Sequence, residues 1–459
     1  MIALTVAEIA GILGAHPDSC PGTPVVDSVV IDSRLARPGS LFVALPGTRT
    51  DGHDHCAHAH AAGAVAAVVT RPIAGVPCLV LPAGDDGLTA LATLAGAVRG
   101  RVADLAVIAV TGSSGKTSTK DLLVTVLGGS MPTVGARASA NNEIGLPLTV
   151  LQVCADTRAL VVEMGARRPG NIAQLCAIAR PTHSVVTNVG HAHIEIFGSL
   201  AATTATKGEI VAALDAQGVA ILNHDDPRVR SMAARCAGEV VWFGRGEGAA
   251  IRAVDIRTAP GGSAFTLITP DASVAVELPL AGGHQVDNAL AAAGVGWSLG
   301  LSATAIAEAL ADAAPRSPHR MAVHERADGV IVIDDAYNAN PESMAAALGS
   351  LVTIAAGRPT VAVLGEMAEL GEHSQAAHAR LGELATALGI RTVIVVGPAT
   401  EITRGYPAAI CVAGIDDALS ALDTILRPDS VVLCKASRVV GLERVAAALL
   451  HSAREDDAS

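Results

Sequence analysis

Short runs of Val, Ile, Leu and Ala alternate with Ala/Leu-rich stretches along almost the whole chain. The runs are apolar throughout rather than alternating, which predicts strands buried on both faces: parallel sheets covered by helices, an α/β fold. Three blocks separate. Residues 1–102 hold weaker strand signals (SVVIDSR, LFVALPG, AAVVT, PCLVLP) and end at a Gly/Arg hinge, RGRVADL, predicting a smaller α/β domain. In 103–314 the signal sharpens: LAVIAV, ALVVEMG, SVVTNVG and VAILN each precede a loop and a helix. Between Ala249 and Leu280 the period changes to two (IRAVDIRT, SAFTLIT, SVAVELPL), predicting a β-rich flap on this central domain. A Pro-rich joint, APRSPHR, opens 315–459, where GVIVIDD, TVAVLGE, TVIVVG and SVVLCKASR predict a Rossmann-like domain. The uncharged run from Ala289 to Ala307 is long enough for a membrane span, but its glycines and Ser302 predict two helices, the second capped by Ser302.

Composition narrows the picture. At 459 residues, three domains of roughly 150 residues are expected. Charged residues make up 17% and hydrophobic ones 50%, excluding a disordered chain. A net charge of −12 supplies no basic field for nucleic acid or anionic membrane, and aromatics at 2% exclude base-stacking platforms. The 8 cysteines are scattered without CxxC spacing, and the N-terminus has no basic region and carries Glu8, so a cytoplasmic protein with reduced thiols and no signal peptide is expected.

The strongest chemical signal is AVIAVTGSSGKTSTKDLL. An apolar strand enters Gly112-Ser113-Ser114-Gly115-Lys116-Thr117 and a helix follows. Such a loop wraps backbone N–H groups around phosphate, with Lys116 reaching the β/γ-phosphates and Thr117 able to ligate Mg²⁺. Val110 stands where the strict P-loop pattern has its first Gly. Glu163 and His193 follow other buried strands, where ligands bind in open parallel sheets, and could hold a divalent metal. Taken singly each reads as an ordinary loop residue, and Lys207 as a solvated helix lysine.

The ordered set TGSSGKTS, NNEIGLP, EMGA, TNVGHAHIEIFGS, KGEI, GGHQVDNALAA, HR and DDAYNANPES resembles the Mur ligase family of peptidoglycan synthesis, from about residue 27 to 450. DDAYNANPESM and LGEMAELGEHSQAAH resemble its D-alanyl-D-alanine-adding branch. The resemblance implies an ATP- and Mg²⁺-dependent amide ligase working through an acyl phosphate, with UDP-N-acetylmuramoyl-tripeptide and D-alanyl-D-alanine as substrates and a single chain as the working unit. Thr111 and Ser118 complete the implied ATP-phosphate loop with Gly112, Ser113, Ser114, Gly115, Lys116 and Thr117. His284 and Asn288 match residues at the adenine end, and Arg320 and Asp335 match residues that reach ATP on domain closure. Thr117, Glu163 and His193 match magnesium ligands, and Lys207 matches a lysine that is carbamylated and bridges a second metal. Asn338, Asn340 and Ser343 fall on the dipeptide side, Asn141 among the substrate contacts. Ser33, Arg34, Gly47, Asp51 and His53 resemble loops that grip uridine diphosphate.

Two strings depart from the family pattern: KASR (435–438) has Ala436 where Gly is usual, and DGHDHC lacks an aromatic. HDHCAHAH (53–60) has spacings that could bind zinc, but His53 belongs to the DGH match and a structural metal is not the expectation. DDPR (225–228) is similar to a substrate-gripping string of another Mur ligase, yet follows a central strand and is read as a strand-end turn. The rival readings are a different Mur ligase, folylpolyglutamate synthetase, or a P-loop scaffold without ligase chemistry.

Overall fold

The computed structural model describes residues 1–455 except 48, 49, 137 and 193, with side chains described to residue 451. Three principal sheets carry the chain, with a small pairing of Leu4–Thr5 and Val25–Val26 beside them.

The central sheet has nine strands. Ala106–Thr111 lies between Ala159–Glu163 and His183–Val186, all parallel. In Ala106–Thr111, Val107 and Ala109 enter one apolar core while Ile108 and Val110 enter another, so the continuous apolar run follows from burial on both faces. Helices Lys116–Gly128, His284–Ser298 and Ala303–Ala311 cover one face. Ser302 caps the third of these, accepting from Ala305 N–H (3.2 Å), so the uncharged run is two helices as its glycines predicted. Among the described residues no helix is long and apolar enough to cross a membrane. The period-two segment forms antiparallel strands Ile251–Ala259, Gly262–Ile268 and Ser273–Leu278. They extend the same sheet, because Glu239–Gly244 joins Ile251–Ala259 to the parallel strands.

The first sheet has five strands, four of them the predicted ones, with His16–Asp18 added antiparallel at one edge. Its helix Gly87–Gly100 packs in one continuous core with central residues. RGRVADL is therefore no loose hinge: Val102 and Leu105 are buried, and Arg99 Nε donates to Ala179 O (3.2 Å). The last sheet has six strands, with Val431–Lys435 inserted between Ile331–Asp334 and Thr360–Gly365. Its five parallel strands point their C-terminal ends, and hence Asp334-Asp335 and Lys435, to one edge.

Candidate active site

Parallel register assembles the centre of the site. Glu163 pairs with Val110, and Val186 with Thr111, so the loops after three neighbouring strands open together at the sheet's C-terminal edge. In the loop after Thr111, Gly112 has φ +153°, and a Cβ there would collide with Thr187 Oγ1. Gly115 has φ +77° and lies against Asn288 Oδ1. Only glycine combines these conformations with such close approach. Asn188 sets the loop's shape, its Oδ1 accepting from Ser114 N–H (3.0 Å) and its carbonyl from Ser113 N–H (2.9 Å). Helix Lys116–Gly128 starts at Gly115 with no side-chain cap, leaving the first N–H groups for an anion.

Lys116 Nζ and Lys207 Nζ donate to the same carbonyl, Gly112 O, at 2.8 and 3.0 Å. Lys207 is only 4% exposed, so the solvated-lysine reading is wrong for this residue. Burial, and then the Lys116 charge, hold its pKa well below the usual 10.5. Burial also lowers Lys116, with Glu163 opposing and Arg320 assisting. Glu163 is 1% exposed. Its Oε2 accepts from Thr117 Oγ1 (2.8 Å) and its Oε1 from Asn141 Nδ2 (2.8 Å), so Asn141 steadies this carboxylate at the cavity wall. Ser139 lies 2.9 Å from Thr117 Oγ1. His193 falls outside the described residues.

The last sheet reaches into this centre. Arg320 Nη2 donates to Ser139 Oγ (3.1 Å) and Thr117 Oγ1 (3.3 Å), while its Cζ sits 4.0 Å over the Tyr337 ring. Asn340 Nδ2 donates to Ser113 O (3.3 Å). Asn340 and Ser343 also form the capping box of helix Pro341–Ala355, so part of their hydrogen bonding is structural. Asp335 Oδ2 pairs with Lys435 Nζ (2.7 Å), and Oδ1 accepts from Met321 N–H (3.1 Å), holding the residue beside Arg320. His284 contributes a buried Nδ1 with no hydrogen-bond partner, which suits a heterocycle edge, and burial lowers its pKa. A single cavity of about 1380 Å³ collects Ser113–Ser118, Asn141, Glu163, Lys207, His284, Asn288, Arg320, Asp335, Asn338, Asn340 and Ser343. Thr111 lies beneath it, its Oγ1 donating to Met164 O (2.8 Å).

Profiles of three domains match: the Mur ligase middle domain over 110–296, the Mur ligase glutamate ligase domain over 319–438, and the catalytic domain of the Mur ligase family over 25–80. A Mycobacterium leprae protein named UDP-N-acetylmuramoyl-tripeptide--D-alanyl-D-alanine ligase is 44% identical, over 98% of this chain and 99% of its own. The chain belongs to the Mur ligase family. The crystal structure of MurF from Acinetobacter baumannii superposes with a TM-score of 0.90 at 32% identity, covering 98% of this chain and 99% of that one. MurF ligase from Thermotoga maritima, solved in complex with ADP, gives 0.81 at 32% identity, covering 94% and 98%.

Of the first block, Asp86, Leu88, Thr89 and Ala92 line the cavity of this Mur ligase, whereas Ser33, Arg34, Gly47, Asp51 and His53 do not. Arg34 turns back on Asp32 (2.6 Å), and Ser33 is buried in the short helix that Asp32 caps. His53 Nε2 accepts from Thr70 N–H (3.0 Å), so its proton sits on Nδ1 and is donated to Asp51 Oδ1 (2.7 Å). His53 thus ties Asp51 to Thr70 and presents no free nitrogen to a ligand. His55 turns to Thr50 and His60 to Ala64 O, and among the described residues no cluster of three or more His, Cys, Asp or Glu could hold a metal. Asp226 of DDPR caps a short helix after strand Val219–Asn223, as a strand-end turn should. Ala436 is fully buried beside Gly365, so its methyl fills core while Lys435, Ser437 and Arg438 face the cavity.

Reading the sequence missed Tyr337, Lys435, Asn188, Ser139 and the pair of His191 with Glu342. All but Ser139 lie inside quoted motifs, Asn188 and His191 in TNVGHAHIEIFGS, Tyr337 and Glu342 in DDAYNANPES and Lys435 in KASR, and Tyr337 is also one of only two tyrosines in the chain.

Proposed function

We propose that this Mur ligase adds D-alanyl-D-alanine to UDP-N-acetylmuramoyl-tripeptide at the expense of ATP, in the synthesis of peptidoglycan precursors. The observation that carries the reading is the shared cavity, where a phosphate-binding loop of one sheet meets Arg320, Asp335 and the Asn338–Ser343 segment of another. The end-to-end likeness to ligases of that name supports the substrates.

Condensing a carboxylate with an amine in water is uphill, so the γ-phosphoryl group of ATP first passes to the tripeptide carboxylate, giving an acyl phosphate and ADP. The dipeptide amine then attacks the acyl carbon and phosphate leaves. Lys116 and the helix N-terminus offset charge on the transferring group, and Arg320 adds a second cation from the other sheet. His284 and Asn288 orient the base end, with Asn288 Oδ1 already accepting from Thr119 Oγ1 (3.2 Å). An acyl phosphate is prone to hydrolysis, so the closed arrangement of the two sheets excludes water during its lifetime. Labour is divided among 1–102 for the uridine nucleotide, 103–314 for ATP and 315–459 for the dipeptide.

The donor set suits magnesium: a buried carboxylate, a hydroxyl already on it, and a lysine whose burial favours the neutral amine. Thr117, Glu163 and His193 would hold one ion, and Lys207, as its carbamate, would bridge to a second. When bound, the ions supply Lewis-acid neutralisation of phosphate charge.

Purified protein given ATP, Mg²⁺, nucleotide-tripeptide and D-alanyl-D-alanine should form the coupled product by mass, with phosphate release requiring all three substrates. Equal release without the dipeptide would sink the ligase reading. A panel of amino-acid and glutamate acceptors separates the other Mur ligases and folylpolyglutamate synthetase.

A further inference from the structure

Four of the seven lysines and arginines that line the cavity are spoken for. Lys116 and Lys207 share Gly112 O, Arg320 is on Thr117 and Ser139, and Lys435 is held by Asp335 and by Asn338 O (2.8 Å). Arg167 and Arg168 lie on the central sheet's loop before helix Asn171–Ala179, a helix that shares the core of the first block. On the last sheet one cation is left. Among the described residues, no carboxylate pairs with the guanidinium of Arg438, which is exposed at the cavity and sits 5.2 Å over the ring of Tyr337. Among the described residues no hydrogen bond engages the guanidinium N–H groups of Arg438, which leaves the planar fork able to bind a carboxylate through two parallel hydrogen bonds.

We propose that Arg438 binds the terminal carboxylate of the acceptor dipeptide and so selects a free C-terminus. The inference rests on the ligase reading above. A dipeptide whose amine has been deprotonated for attack still carries one negative charge. It enters a cavity already lined by Glu163, Asp335 and Glu342, where an unpaired carboxylate is costly. Tyr337 precedes Asn338, so the ring that carries Arg438 also begins the segment assigned to the dipeptide. The same ring carries Arg320 on the phosphate side, placing the acceptor's charged end and the transferring phosphate under separate guanidinium groups.

The test is a cycle of one substitution and one substrate change. Wild type and Arg438→Gln are assayed with D-alanyl-D-alanine and with D-alanyl-D-alaninamide, at saturating ATP and nucleotide-tripeptide. Amidation should raise the wild-type KM for the acceptor about tenfold or more, Arg438→Gln should raise the KM for the free dipeptide similarly, and the two changes together should add nothing further. The KM for ATP should be unchanged, and Arg438→Lys should recover part of the loss. Arg438 is exposed, so the variants should melt as wild type does. Equal loss on both acceptors, no loss on either, or a raised KM for ATP overturns the assignment. Absence of product from the free dipeptide with wild type overturns the ligase reading itself.

Discussion

Two ammonium groups donating to one carbonyl, as Lys116 and Lys207 do on Gly112 O, repel each other in a site that cannot screen them. The pair is relieved if one amine is neutral, and burial together with the Lys116 charge pushes Lys207 in that direction. A neutral amine can add CO₂ and become an anion, so Lys207→Ala should lower turnover on the order of a hundredfold, and acetate should partly restore it. Full activity of Lys207→Ala at saturating Mg²⁺ would falsify the carbamate assignment. Stability gives a second readout. In the unfolded chain the amine returns to about 10.5, so between the lowered native value and 10.5 the unfolded state holds the extra proton. Stability from this group therefore rises with pH through that window and is lost as pH falls toward the native value. In CO₂-free buffer without nucleotide, wild type should gain stability relative to Lys207→Met as pH rises from neutral; parallel curves would place the proton elsewhere.

At the scale of elements, the P-loop and its flanking strand and helix were legible because their chemistry is local: two glycines, a lysine and a hydroxyl within six residues. Gly115→Ala should cost about 1–2 kcal/mol from its left-handed backbone, and its methyl would press on Asn288 Oδ1 (2.5 Å). Calorimetry should show ATP affinity falling at least tenfold or so, and unchanged affinity would mean the loop does not cradle phosphate. The platform under Arg320 was not legible, because His319-Arg320 and Tyr337 belong to different elements. His319 and Met321 flank Arg320 with φ of +59° and +51°, a conformation held by His319 Nδ1 to Asp334 Oδ2 (2.7 Å) and by Met321 N–H to Asp335. Arg320 Nε is buried without a hydrogen bond, so the Tyr337 ring joins the Nη2 bonds to Ser139 and Thr117 in steadying its guanidinium. Tyr337→Phe should keep near-normal kcat, whereas Tyr337→Leu should lower it about tenfold, since only an aromatic face attracts the cation. Equal kcat in the two variants would remove the ring from the mechanism.

Across the whole molecule the three sheets are joined unequally. The first shares a continuous apolar core with the central one, whereas the last meets the P-loop through polar groups and, among the described residues, takes only Ile194, Leu200 and Ala281 of the central block into its own apolar core. Sequence patterns separate both junctions alike, since neither an apolar seam nor a polar one shows in local periodicity; the packing alone tells them apart. The polar seam is the one able to open and close. Its contacts include Glu342 Oε1, which accepts from His191 N–H (2.9 Å) and lies 2.7 Å from His191 Nδ1, across 151 residues of sequence. The pair belongs to the closed arrangement and touches neither the P-loop lysines nor Arg320, so breaking it should leave ATP binding to the open enzyme intact. Glu342→Ala and His191→Ala should each lower kcat severalfold, and the double variant should lose no more than the worse single, giving a coupling of about 0.5–3 kcal/mol. Nucleotide affinity by calorimetry should stay within about twofold of wild type. Additive losses, or ATP affinity falling in step with turnover, would mean that Glu342 and His191 support the nucleotide site directly and that closure is held elsewhere along the seam.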